Sequence, residues 1–174
     1  DILNYLISLG ANFTSLQNGN TPLQIAADTQ QLAVVEELLK HWRAHPETLT
    51  PELERRSDHN MTALYYAANR GYTPIVALLI KAGADFLSLQ YFGFTPLHAA
   101  IQGGYSDTVQ LLLEEAKTRG ILRQVLHDPS TQDRTALDMA EASPNPEVRE
   151  RVRQANGQGS FSLLSLFPFI PRWR

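Results

Sequence analysis

Four short segments of this chain are versions of one another, and they restrict its fold more than any other feature. They occupy residues 21–27 (TPLQIAA), 62–68 (TALYYAA), 95–100 (TPLHAA) and 135–140 (TALDMA). Their threonines lie 41, 33 and 40 residues apart, so the middle interval gives the bare period and the outer two carry insertions of 8 and 7. Self-similarity at such a period marks a stacked array, in which each unit is too small to bury its own apolar face and needs a neighbour. A second series keeps register with the first. Val35, Val76 and Val109 each follow their threonine by 14 residues, inside apolar runs at 34–39, 74–80 and 107–113.

The residues of each unit specify a short helix, a turn and a second helix. The threonine can cap the first helix by accepting a backbone N–H, and proline at the next position sacrifices only a donor that has no helical partner. The leucine that follows gives an apolar anchor, and the alanine pair keeps the helix thin enough for neighbours to stack closely. The Val/Leu/Ile-rich second helix supplies most of the apolar area. Gly71 and Gly104 fall where the first helix must end and Gly83 where the second does, positions that favour a left-handed residue.

At these residues the sequence resembles the ankyrin-repeat family, whose period is about 33 residues and whose motif is T-P-L-H-x-A. Gly83-Ala84-Asp85-Phe86 and Gly10-Ala11-Asn12-Phe13 are similar to that family's inter-repeat turn. The resemblance implies an all-α ankyrin-repeat solenoid of helix-turn-helix units with finger turns, curved and elongated. It divides the chain into an array over 1–156 and an apolar tail over 157–174. Within the array lie the second half of a repeat at 2–13, units starting near Thr21, Thr62, Thr95 and Thr135, and insertions at about 41–56 and 115–130. Gln24, Tyr65 and Asp138 stand where the motif has histidine, so only His98 keeps it. In the last unit the proline-rich 143–146 takes the inter-helix turn, and the charged 147–153 makes a helix suited to a solvent-facing cap.

Both insertions extend a second helix and delay the next finger. Thr50, Pro51 and Glu52 read as the capped start of a short helical turn. Gly120 reads as a stop before a second amphipathic turn at 121–126. The first expectation is that Leu49, Leu53, Ile121 and Leu126 pack on neighbouring helices. The alternative is that the extensions build one rim of a groove.

Little in the chain points to chemistry. It has no cysteine, which excludes disulfides, thiolate metal sites and a cysteine nucleophile and suits an intracellular, cytoplasmic setting. It begins at Asp1 with no signal-peptide pattern and reads as a domain excised from something longer. A net charge of −3 offers phosphate backbones little attraction, despite arginines at 149, 151, 153, 172 and 174. No apolar run approaches the ~20 residues of a membrane span. His41 and His45 have i, i+4 spacing but no third ligand near them. His98 sits where the family's histidine bonds backbone of the neighbouring turn. Ser88, Ser106, Ser130 and Ser143 lack a G-x-S-x-G context. The adjacent carboxylates Glu36-Glu37 and Glu114-Glu115 point apart on a helix. The chain is therefore expected to be no enzyme and to hold no cofactor or metal.

What remains is a surface, and the resemblance implies that it binds another protein through the concave face made by fingers and first helices. Leu89, Tyr91, Phe92 and Phe94 put an apolar, aromatic cluster on one finger, and aromatic residues dominate interface hot spots. The alternative is that Phe92 and Phe94 pack between fingers. Asp58, His59, Met61 and Arg134 supply neighbouring fingers, and Asn69, Arg70 and Gln102 the first helices. One of Tyr65 and Tyr66 should face the groove while the other fills the core. A second reading makes the chain the recruiting or targeting module of a larger enzyme. The tail, Phe161 to Trp173, would either dock on the last repeat or lead to a partner.

Overall fold

Each of the four threonine motifs opens a helix in the computed structural model, which describes residues 19–88, 93–127 and 134–157. Along the chain the helices are α1 (Pro22–Asp28), α2 (Leu32–Arg43), α3 (Pro46–Glu54), α4 (Ala63–Arg70), α5 (Thr73–Lys81), α6 (Pro96–Gly103), α7 (Ser106–Thr118), α8 (Leu122–His127), α9 (Ala136–Glu141) and α10 (Pro146–Ala155). There is no strand among the described residues. Thr21, Thr62, Thr95 and Thr135 are all N-caps with extended backbone, and their hydroxyls accept the backbone N–H of Gln24, Tyr65, His98 and Asp138.

The first helices α1, α4, α6 and α9 stack in one row and the second helices α2, α5, α7 and α10 in another, with the main contacts running only within a unit or between adjacent units. That is the solenoid the spacing implies. Leu23, Leu64 and Leu97 are 0–1% exposed between units, and Val35, Val76 and Val109 are fully buried on the second row. Leu137, the equivalent leucine of the last unit, is only half-buried, because an end unit has a neighbour on one side. Gly71 and Gly104 close α4 and α6 with φ of 72° and 73°, the left-handed conformation the sequence asks of them. At Gly71 space is also short: a Cβ there would come within 2.4 Å of the Tyr105 ring.

Gln24 replaces the motif histidine and joins the first unit to the next through its side-chain amide. It is 1% exposed; its amide donates to the carbonyls of Arg55 at 2.8 Å and Met61 at 3.1 Å in the next finger, while its Oε1 accepts the Thr21 N–H at 2.7 Å. Removing one partner from a buried set leaves the others unsatisfied, at about 1–3 kcal/mol. Gln24→Ala is therefore expected to lower stability by that amount in urea unfolding, and Gln24→Glu, which offers no amide donors, by no less.

The insertions fold back onto the array. Trp42, Leu53, Val125 and Leu126 are 1–3% exposed, and Leu49 and Ile121 pack against the same core. Packing is thus the role of these side chains. The first insertion departs from the sequence expectation in one respect: Thr50 caps nothing, because α3 already begins at Pro46 and carries Thr50 and Pro51 inside it. Proline at the first helical position starts the helix a turn earlier. Pro51 then lacks only the N–H that would have met the Glu47 carbonyl. The far end of α3 is tied to the following unit, where the Asp85 N–H donates to Glu54 at 2.8 Å. Burial raises the Glu54 pKa, and that hydrogen bond opposes the shift.

The last unit closes with polar groups. Asn145 caps α10 by accepting the Glu147 N–H at 2.9 Å and reaches back to the Gly104 carbonyl at 2.7 Å. Arg153 pairs with Glu141 across α9 and α10, and Arg149 donates to the Ser143 carbonyl. Val148 and Val152 face inward, fully buried. The half repeat expected at 2–13 and the tail from Phe161 to Trp173 lie outside the described residues.

Candidate protein-interaction surface

The residue before each capping threonine sits at the base of a finger, and the residue seven places after it sits near the end of the first helix. The first position holds Asn20, Met61, Phe94 and Arg134, and the second Asp28, Asn69, Gln102 and Ala142. Most of the candidates read from the sequence occupy these two positions or their neighbours.

On the finger before α4, Asp58 and His59 are exposed at the tip and Met61 is half-buried. The Asp58 N–H reaches the Gly19 carbonyl at 3.3 Å, joining this finger to the preceding one. Asn69 and Arg70 are exposed at the end of α4, but Arg70 is engaged: its Nε donates to Asp28 at 2.7 Å, clipping α4 to α1. Tyr65 is 4% exposed, and burial raises its pKa. Tyr66 is the partly exposed member of the pair, its hydroxyl donating to Asn20 at 3.0 Å.

The aromatic finger is described only from Gly93 onward, so Leu89, Tyr91 and Phe92 lie outside the described residues. Phe94 is placed, and it is not the exposed anchor that its position suggests. Its ring is 7% exposed and stacks on the His98 imidazole, with centroids 5.5 Å apart and planes 2° from parallel. The aromatic group fills the space between finger and first helix. His98, 1% exposed, uses Nδ1 to bond the Thr95 hydroxyl at 2.8 Å, while its buried Nε2 has no well-aligned partner. Burial lowers its pKa from 6.5, with the Arg134 backbone opposing the shift.

That direction fixes a pH dependence. The unfolded chain takes up a proton on His98 as pH falls below about 6.5, whereas the folded chain resists it, so the stability His98 contributes is complete above that pH and lost below it. Unfolding measured between pH 7 and about 5 should show the decline, and His98→Gln, which copies the solution found at Gln24, should flatten it. A decline of equal size in both proteins would remove His98 as its source.

Beside Phe94 the structure opens a cleft of about 350 Å³, lined by Phe94, Ile101, Gln102, Arg134, Met139, Ala142, Ser143 and Pro144. It lies between the third and fourth units, and its walls come from fingers, first helices and the turn after α9, with nothing from the second-helix row. Gln102 and Arg134 are exposed at its edge. Phe94, Gln102 and Arg134 were legible as candidates and the cleft brings them together; Asp58, His59, Met61, Asn69 and Arg70 line other units. Met139, Ala142, Ser143 and Pro144 escape a reading that looks for aromatic and charged groups. Register could have found Ala142, seven residues after its threonine as Gln102 is after Thr95.

Other clusters are structural. The His41 and His45 rings lie 5.5 Å apart, with Glu47 3.6 Å from His45, and no group of three or more metal-binding side chains forms among the described residues. Arg151 pairs with Asp107 and Glu147, and Arg153 with Glu141, so these cations are neutralised within the protein. No helix among the described residues is long and apolar enough to cross a membrane.

Threonine-capped helix pairs stacked unit on unit, with fingers between them, define the class: a helical repeat solenoid. The family model for the ankyrin repeat matches residues 18–50 and that for three copies of ankyrin repeats matches 45–121. The chain belongs to the ankyrin-repeat family. The fourth unit lies beyond those matches, but its capped helix and packing are those of the others. Among curated relatives, the chain is 46% identical over 56 residues to the human transient receptor potential cation channel subfamily A member 1, covering 32% of this chain and 5% of that one. It is 48% identical over 54 residues to a putative ankyrin repeat protein of Rickettsia bellii, covering 30% and 23% respectively. It is 36% identical over 149 residues to the ankyrin repeat and KH domain-containing protein mask-1 of Caenorhabditis elegans, covering 86% of this chain and 5% of that protein. The chain thus spans less than a quarter of the length of these relatives.

Proposed function

We propose that this chain is a protein-binding module that takes its partner on the finger and first-helix face, at the cleft between the third and fourth units. Ankyrin repeats are protein-interaction modules, and relatives with such repeats include a regulatory subunit of protein phosphatase 1 and an SH3 and multiple ankyrin repeat domains protein. The observation that carries the reading is the cleft itself: an apolar floor of Phe94, Ile101 and Met139 with Gln102 and Arg134 exposed at its edge. Interfaces of this kind combine a small apolar core with a polar rim. In this reading the chain performs no catalysis, and a cytoplasmic setting fits its lack of cysteine.

Ala142→Trp tests it. Ala142 is exposed and ends α9, so a large ring there fills the cleft without entering the core. Capture from a cell extract is run in parallel with the native chain, with Ala142→Trp and with Glu114→Lys on the outer face. The expected result is a protein retained by the native chain and by Glu114→Lys and lost with Ala142→Trp. Retention by all three would place binding elsewhere.

A further inference from the structure

Resting on the function proposed above, we infer that the cleft beside Phe94 accepts an extended peptide segment in which a bulky apolar side chain stands next to an acidic one. Five of the eight lining residues are apolar, namely Phe94, Ile101, Met139, Ala142 and Pro144, so the interior rewards a hydrocarbon or aromatic group. A volume of about 350 Å³ is at the small end for a binding cleft, which suits one anchoring side chain and its neighbours rather than a whole helix. Arg134 is the single ionisable group in the lining. Its side chain makes no hydrogen bond or ion pair among the described residues, nor does the side chain of Gln102.

Asp138 is near enough for its charge to act on Arg134, but no carboxylate among the described residues forms an ion pair with the guanidinium. Asp138, on α9, turns its carboxylate to the Thr135 N–H at 3.0 Å and hydroxyl at 2.7 Å. A guanidinium at the rim of an apolar cleft offers a fork that fits a carboxylate at two points, and the Gln102 amide can take a backbone carbonyl or N–H of the same segment. The cleft on the opposite face, between α7 and α10, is different in kind. Its lining mixes Glu114 with Lys117 and Arg151, and it offers no one sign of charge. The chain's own 158–174 segment is a poor occupant of the Phe94 cleft, since it carries Arg172 and Arg174 and no acidic side chain.

The test uses random linear peptides displayed on phage and selected against the full 174-residue chain. Selected peptides are then synthesised and titrated by fluorescence polarisation into the native protein, Arg134→Glu, Ala142→Trp and Glu114→Lys, each verified by its thermal melt. The selected sequences should share a bulky apolar residue beside Asp or Glu. Arg134→Glu should weaken them about tenfold or more, and exchanging the peptide's acid for Lys should restore affinity on that variant. Ala142→Trp should abolish binding and Glu114→Lys should leave it unchanged. Peptides without an acid, or insensitive to Arg134→Glu yet lost with Ala142→Trp, would overturn the inferred chemistry and leave the cleft as a binding site. Peptides that bind Ala142→Trp as well as the native chain would overturn both readings of the cleft. A library that yields no binder would overturn the peptide inference alone, leaving the capture experiment to decide the wider function.

Discussion

Alanine in place of Leu97 is expected to lower the stability of this protein by about 2–5 kcal/mol, the cost of a buried leucine truncated where the surroundings relax only in part. Leu97 is 0% exposed on α6, pressed between the first helices of the units on either side. Its loss damages two inter-unit contacts at once, and in a one-dimensional array those contacts carry most of the cooperativity. Urea unfolding followed by circular dichroism reads the effect as a shift of midpoint. Partner binding should fall only in proportion to the fraction unfolded. A change below about 1 kcal/mol would mean that the third unit does not pack as described.

Phe94→Ala is expected to act in the same way, costing about 3–5 kcal/mol of stability. The sequence alone suggests the opposite, because an aromatic residue on a finger looks like a surface anchor whose removal spares the fold. Its burial at 7% exposure and its stacking on His98 decide the matter in favour of the core. Truncation would uncover the imidazole and open the floor of the cleft to water. Gln102→Ala, at an exposed position whose side chain makes no hydrogen bond among the described residues, should stay within about 0.5 kcal/mol of the native protein while weakening partner binding. The pair separates floor from rim. If Phe94→Ala melted with the native protein, Phe94 would belong to the rim after all.

Much of the fold was legible because repetition multiplies weak signals. One threonine before an apolar residue is a poor helix start, but four, three of them followed by a valine 14 residues on, can be satisfied by few arrangements. Gly71 and Gly104 announced their left-handed backbone, whereas Gln30, with φ of 60° after α1, gave no sign that it takes the same conformation without being glycine. The start of α3 was ambiguous for a local reason: Pro46 and Pro51 are both acceptable first residues of a helix, and sequence does not weigh one against the other. The site was less legible than the scaffold. Phe94 and His98 are only four residues apart, so their stacking is a local contact across the α6 cap, but that spacing alone does not fix whether the Phe94 ring is also shut off from solvent. Ala142, Ser143 and Pro144 are small and unremarkable in composition; they matter because Arg134 and Phe94 come to face them across two units. Gln24 shows the converse case, in which a departure from the motif preserves the physics, since an amide bonds two backbone carbonyls of the next finger.

Hydrogen exchange of the native chain, measured with and without the partner that Ala142→Trp fails to retain, tests the proposed binding face most directly. Protection gained on binding should concentrate in residues 93–103 and 134–144, which carry Phe94, Gln102, Arg134 and Ala142, while the second-helix row α2, α5, α7 and α10 keeps its exchange rates. Protection confined to that second row, with the 93–103 and 134–144 segments unchanged, would contradict it.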